Sequence, residues 1–149
     1  MVKSKSKTGS CLCGAVKYHV KSDVSETSAC HCGICRKWSG GIFMAFEVVA
    51  GDIEFVGRDN IACYASSDWA ERGFCRMCGS SLYCRITAEG PHQGQYHLGM
   101  GTLDDTAGVA LTSEIFTDEK PDGYGFAGDL PGMTGPQVIA MFAPDADQK

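Results

Sequence analysis

The chain has 149 residues, 44% hydrophobic and 21% charged, enough to bury one core and typical of a single soluble globular domain spanning 1–149. A formal charge of −5 argues against general nucleic-acid binding, whose footprint is a basic stripe; zinc on both cysteine clusters described below would take the charge to about −8. Nine cysteines, no apolar stretch after the lysines of residues 1–7, and no run of roughly 18 apolar residues point to metal or thiol chemistry in the cytoplasm, without a membrane, rather than a disulfide framework.

Residues 1–9 are basic and polar and read as a frayed tail. Cys11 to Val20 alternates, with Val16, Tyr18 and Val20 on one face, and is predicted to be a strand on which Cys11 and Cys13 share a side. A polar link then leads to Cys30-His31-Cys32-Gly33-Ile34-Cys35, a thiol-rich turn with one helical turn expected near 34–38. Ile42 to Val49 has the composition of a buried strand and is predicted to form a hairpin with Ile53 to Val56 across Gly51-Asp52. Ile61 to Ala65, Ala70 to Phe74, Ser81 to Ile86, Gln95 to Met100 and Leu111 to Thr117 read as further strands. No segment sustains a 3.6-residue apolar period, so the pattern is all-β. Asp118 to Pro136, rich in Gly, Pro and Asp around Tyr124 and Phe126, reads as a surface loop, with a lid as the functional alternative. Gln137 to Phe142 suits core packing or a modest interface, leaving monomer or homodimer open.

Cys75-Arg76-Met77-Cys78-Gly79 is a C-x-x-C-G knuckle, in which a glycine free to adopt φ > 0 turns backbone amides toward the sulfurs. Cys11-Leu12-Cys13-Gly14 offers a matching pair, and together Cys11, Cys13, Cys75 and Cys78 make a closed structural site for Zn²⁺. Cys30, Cys32 and Cys35 remain as a separate triad, three ligands for a second zinc. With an exchangeable fourth position such a site would capture and orient a thiolate; with Cys63, Cys84 or His31 as fourth ligand it would be a second structural site. His31, flanked by ligands, is expected to point away from the metal, while Cys63 and Cys84 read as core thiols.

Cys11 to Tyr18 (C-x-C-G-x-V-x-Y), Cys30 to Gly40 (C-H-C-x-x-C-R-K-x-x-G) and Arg72 to Leu82 (R-x-F-C-x-x-C-G-S-x-L) resemble the glutathione-dependent formaldehyde-activating enzyme family, which includes relatives of centromere protein V. Gly101-Thr102-Leu103-Asp104-Asp105 and Glu114-Ile115-Phe116 resemble its later blocks, and all seven expected cysteines occur in order. Two departures stand out: Gly73 within Arg72-Gly73-Phe74-Cys75, and Asp122 to Phe126 in place of a tryptophan-bearing loop before Asp129-Leu130-Pro131. The resemblance implies a mainly β fold of several small coiled antiparallel sheets, like the zinc fold of the Rab-exchange chaperones. It also implies a structural zinc on the four cysteines and a catalytic zinc on Cys30, Cys32 and Cys35. The implied activity is that of a carbon–sulfur lyase acting on a thiol adduct such as S-hydroxymethylglutathione, with glutathione and a small aldehyde as partners.

Glutathione carries two carboxylates, so an acidic protein needs local cations: Arg36 and Lys37 first, Arg72 and Arg76 second. Trp38 and Phe43 are candidates for the substrate pocket, or else core aromatics. His97 reads as a satisfied, half-buried histidine rather than a base, His19 as exposed, His92 as part of a turn, and Asp104-Asp105 as a turn cap. Two non-enzymatic readings stand beside the lyase: a zinc-stabilised binding module using the 118–136 loop, and a thiol redox or metal sensor built on the triad.

Overall fold

The structure, a computed structural model, describes residues 6–142. The strands are β1 (Lys7–Ser10), β2 (Lys17–Val20), β3 (Glu26–Cys30), β4 (Phe43–Val48), β5 (Ile53–Val56), β6 (Ile61–Ala65), β7 (Ala70–Cys75), β8 (Ser81–Ile86), β9 (Tyr96–Gly99), β10 (Ala110–Ile115) and β11 (Gly132–Met133). Two short helices complete the fold: α1 (Gly33–Ser39) follows β3, and α2 (Gly135–Phe142) follows β11. The mainly β expectation holds, in two sheets rather than several small ones: one of three strands, ordered β1-β2-β5, and one of eight, ordered β11-β10-β3-β4-β9-β8-β7-β6. Pairing is antiparallel except for β3-β10 and β10-β11, which run parallel.

Strand alternation sorts the core into two layers. Phe46, Val48, Tyr96 and Leu98 of the large sheet meet Val16, Tyr18, Val20 and Ile53 beneath the small one. On the opposite face, Phe43, Ala45, Cys84 and Ile86 meet the two helices through Cys35, Val138 and Phe142. With both faces covered, β4 needs a nearly continuous apolar run, which is why its sequence was legible.

Four expectations change. Lys7–Ser10 is a strand and no frayed tail, because the buried Lys7 ammonium donates to the carbonyls of Asp105 and Ala107 at 2.9 and 2.7 Å; residues 1–5 lie outside the described residues. The strand expected from Cys11 begins only at Lys17, since Cys11 to Val16 is a turn with Gly14 at φ 78. The hairpin between β4 and β5 does not form: a 3-10 turn at Ala50–Asp52 redirects the chain, and β5 joins β2 with Val20 opposite Ile53. Gln137 to Phe142 packs on the core through Val138 and Phe142, as expected, but the all-β pattern changes there because the segment belongs to α2, too short to show a helical period. The Asp118 carboxylate accepts from Gly135 N–H and the Gln137 side chain from Thr134 N–H at its start.

Gly73 has a physical reason as well. A Cβ there would lie 2.3 Å from the Tyr83 ring, which crosses β7 where the β7-β8 register shifts, so no longer side chain fits.

Candidate metal centres and active-site cavity

The first cluster joins the two sheets. Cys11 and Cys13 lie on the turn after β1; Cys75 ends β7 and Cys78 lies on the turn into β8. All four Sγ atoms lie within 4.8 Å of one another, with Cys11–Cys13 at 3.6 Å and Cys13–Cys75 at 3.8 Å. A tetrahedron with Zn–S bonds of about 2.3 Å has edges of about 3.8 Å, so the donor set fits a closed thiolate site. Gly79 adopts φ 78 as the knuckle requires, Val16 N–H donates to Cys11 Sγ at 3.3 Å, and Leu12 N–H donates to Ser80 Oγ at 2.9 Å.

The second cluster is built differently. Cys30 ends β3, Cys32 is the N-cap of α1, and Cys35 sits one turn into that helix. Cys32 Sγ accepts from Cys35 N–H at 3.2 Å, so one sulfur both caps the helix and faces its two partners. Gly40 ends the helix in the left-handed region at φ 80, where its N–H donates to Arg36 O. The three Sγ atoms again lie within 4.8 Å, all three residues are buried, and among the described residues no other Cys, His, Asp or Glu joins the group.

The thiols share their protons unevenly. Hydrogen bonds from Cys30 and then Cys35, with the Cys35 N–H and the Arg72 charge, hold the Cys32 thiol down to about 2, whereas Cys32, Cys35 and burial push Cys30 up. Cys35, lowered by Cys30 but raised more by Cys32 and by burial, stands at about 12. Three thiols packed this closely resist full ionisation until a cation is bound among them. Arg72, only 4% exposed on β7, donates from Nη1 to Cys35 Sγ at 3.1 Å and from Nε to Ser66 Oγ at 3.1 Å. Its single positive charge matches the net charge that three thiolates leave on a divalent ion.

The triad opens onto a cavity of about 680 Å³. Register, rather than sequence proximity, assembles its floor: Arg72, Cys84, His97 and Glu47 stand side by side across β7, β8, β9 and β4. Phe43 and Ile86 continue the floor, and α2 supplies the facing wall with Val138, Ile139, Met141 and Phe142. Phe116, at φ 55 in the left-handed region, brings its ring into the same wall against Gly135.

A family model described as glutathione-dependent formaldehyde-activating enzyme matches residues 6–119. The chain belongs to this family. An uncharacterized lyase of Schizosaccharomyces pombe is 33% identical over 133 residues, covering 88% of this chain and 93% of the relative. A protein of Talaromyces marneffei named as a putative glutathione-dependent formaldehyde-activating enzyme is 32% identical over 76% of this chain and 66% of its own length. One of Halomonas elongata with the same name is 34% identical, and this chain spans about half of it, 53%. Relatives named as a lyase and as formaldehyde-activating enzymes support an enzymatic role.

Within this family member the structure distributes the candidate residues clearly. Arg36 and Lys37 are exposed on α1 at the cavity rim. Trp38 does not line the cavity; its ring packs edge-on against Phe43 at 5.4 Å and carries the Arg72 guanidinium at 5.3 Å. Arg72 is thus occupied by Cys35, and Arg76 lies by the first cluster, donating to Ile61 O, so neither second-choice cation stands free in the cavity. Cys63 is exposed on the edge strand β6, its Sγ 3.7 Å from Tyr83 OH, and is not the core thiol expected; Cys84 is buried as expected. His97 is also a correction. Its Nε2 is sealed from solvent without a hydrogen-bond partner among the described residues, and burial, then Arg72 and His92, lower it to about 4, leaving a neutral ring. His19 is exposed and Asp105 caps its turn by accepting from Ala107 N–H, as read, whereas Asp104 instead accepts from the Thr8 hydroxyl of β1.

His31 points away from the sulfurs, as expected, into a network that the sequence did not reveal. Fully buried, it pairs through Nε2 with the Glu114 carboxylate at 2.9 Å and through Nδ1 with the Tyr124 hydroxyl at 2.7 Å. Lys120 also donates to Glu114, at 2.7 Å, and lies over the Phe126 ring. The segment around Tyr124 is therefore tied to the side chain of the residue between Cys30 and Cys32, and the cover over the cavity comes from α2 instead. An aromatic amid glycines, Gly123-Tyr124-Gly125-Phe126, was the available signal.

Proposed function

We propose that this protein is a zinc-dependent carbon–sulfur lyase that joins a thiol to an aldehyde and splits the adduct again, with glutathione as the thiol. The observation that carries this reading is the contrast in ligand number: three buried thiols facing a large cavity, beside a separate cluster that has four. Zinc held by Cys30, Cys32 and Cys35 would lower the pKa of an incoming thiol so that a thiolate exists near neutral pH. In the addition, a carbon–sulfur bond forms as the carbonyl π bond opens, and the thiol proton ends on the former carbonyl oxygen; nothing is oxidised or reduced.

The chain's own residues supply the rest. Arg72 balances the thiolate charge from within the protein, which leaves Arg36 and Lys37 at the rim to receive the glutathione carboxylates. The cavity walls hold the two reactants together and exclude water, so the rate gain comes chiefly from proximity.

Native mass spectrometry with and without glutathione tests this. Two zincs per chain, a glutathione adduct on the intact protein, and loss of both the second zinc and the adduct in Cys32→Ser are expected. Exchange NMR should then show faster interconversion of aldehyde and adduct. Two retained zincs with no thiol addition would overturn the reading and favour a binding module.

A further inference from the structure

Resting on that reading, we infer that the aldehyde partner carries an apolar chain or ring of about six carbons, seated between the sheet floor and α2, and that formaldehyde is the lesser substrate. The cavity's 680 Å³ falls in the range of sites that enclose drug-sized ligands. Formaldehyde, with two heavy atoms, needs little more than the roughly 30 Å³ share of one water.

The two sides of the cavity differ in chemistry. Arg36 and Lys37 come from α1, whereas the residues facing in from α2 are Val138, Ile139, Met141 and Phe142, and α2 contains no charged residue. Phe43, Ile86 and Phe116 complete an apolar surface against which the carboxylates and amides of glutathione would lose water without compensation. The thiol's polar body therefore belongs at the α1 rim, and the α2 side suits hydrocarbon. The carboxylates of the lining, Glu47 and Glu119, are both on exposed residues, Glu47 at the β4 end of the floor's polar row and away from α2 in the sheet register.

The polar atoms inside agree. Ser28 lies two residues before Cys30 on the same face of β3, and its Oγ is sealed from solvent without a partner among the described residues. An apolar aldehyde offers a single polar atom, the carbonyl oxygen, which becomes the adduct hydroxyl. Neither the Ser28 hydroxyl nor His97 Nε2 reaches the cavity surface, so neither requires a hydrogen bond from a ligand seated there. His97, the other unpartnered group, is uncharged and has the Phe142 ring edge-on at 5.5 Å, so it tolerates hydrocarbon next to it.

The balance is R′CHO + RSH → R′CH(OH)SR, a proton passing from sulfur to oxygen with no change of oxidation state. Each buried methylene strengthens binding roughly fourfold. For the zinc-loaded full chain with glutathione, kcat/KM relative to the uncatalysed rate is expected to be at least about a hundredfold higher for hexanal than for formaldehyde. Val138→Trp, which fills the wall, should cut that ratio about tenfold or more, and Ile139→Trp serves if the first variant loses zinc. Equal or greater acceleration of formaldehyde overturns the inference. A preference for hexanethiol plus formaldehyde over glutathione plus hexanal also overturns it, by placing the tail on sulfur. If neither aldehyde is accelerated, the lyase reading fails, and calorimetry with unreactive 1-hexanol decides the cavity separately. Binding that Val138→Trp removes keeps the apolar ligand class, and no binding ends it.

Discussion

The two cysteine clusters invert the usual link between exposure and reactivity. In the first, Cys13 is exposed and Cys78 half-exposed, yet four sulfurs would close the coordination sphere of a metal. In the second, every sulfur is buried, yet three would leave a bound metal one position, facing an internal cavity. Water reaches the side chains of the first cluster, yet a metal held by all four sulfurs would have no place for it. A substrate reaches the second only by entering the protein. Coordinative openness is set by ligand count and by what lies beyond the ligands, and solvent exposure is a poor guide to it.

The largest test of the contrast removes one ligand from each cluster. In structural sites metal-binding free energy is folding free energy, of the order of 10–16 kcal/mol in small zinc peptides. Cys75→Ser should therefore abolish the cooperative fold, whereas Cys32→Ser should stay folded with one zinc; circular dichroism with zinc counting checks both. Should Cys75→Ser fold normally with the triad loaded, the first cluster does not hold the two sheets together.

Next comes the buried cation that, among the described residues, the triad has and the four-cysteine cluster lacks. Arg72→Met leaves thiolate charge uncompensated inside the protein and is expected to cost about 3 kcal/mol, with zinc lost from the triad before the four-cysteine site. Chelator challenge followed by native mass spectrometry reads the order of loss, and Arg72→Lys should recover part of the stability but not the contact to Ser66.

A smaller effect separates the latch behind His31 from the sulfurs. Tyr124→Phe strands a buried imidazole nitrogen and should cost about 1.5 kcal/mol, measured by denaturant unfolding. Zinc release from the triad should quicken while the other site is unmoved. Unchanged release would mean that the network orders the loop without positioning Cys30 and Cys32.

The smallest is a pH effect. The Glu114 carboxyl is held below its ordinary value by the hydrogen bond from Lys120 and then by that from His31. Its contribution to stability is thus complete above the unfolded carboxylate pKa and disappears as pH falls through the lower native one. Thermal melts from neutral to acid pH should show a shallower acid limb in Glu114→Gln than in the parent. An identical slope in both would remove Glu114 from the acid response.

Much of the site was legible from local chemistry. Paired cysteines followed by Gly14 and Gly79 marked the first cluster because a tight turn with φ > 0 is a property of a few consecutive residues. The C-x-C-x-x-C run marked the second because α1 begins within it and Cys32 caps its own helix. Most strands followed from short apolar runs between turns, although the length of the Cys11 strand and the partner of β5 did not.

What the sequence by itself determined is therefore the seven cysteines that gather into two clusters, the mainly β pattern and the family. The tertiary structure alone decided that Arg72 serves Cys35 rather than a substrate, that His31 clasps Tyr124 and Glu114, and that α2 walls the cavity. It also set Arg72, Cys84, His97 and Glu47 in one row, although they lie far apart along the chain. The reason is physical. Ligand spacing and turn geometry are settled within one turn of backbone, whereas the chemistry of a sheet face depends on which strands pair and in what register, and a slip of one residue would send each of those side chains to the other side.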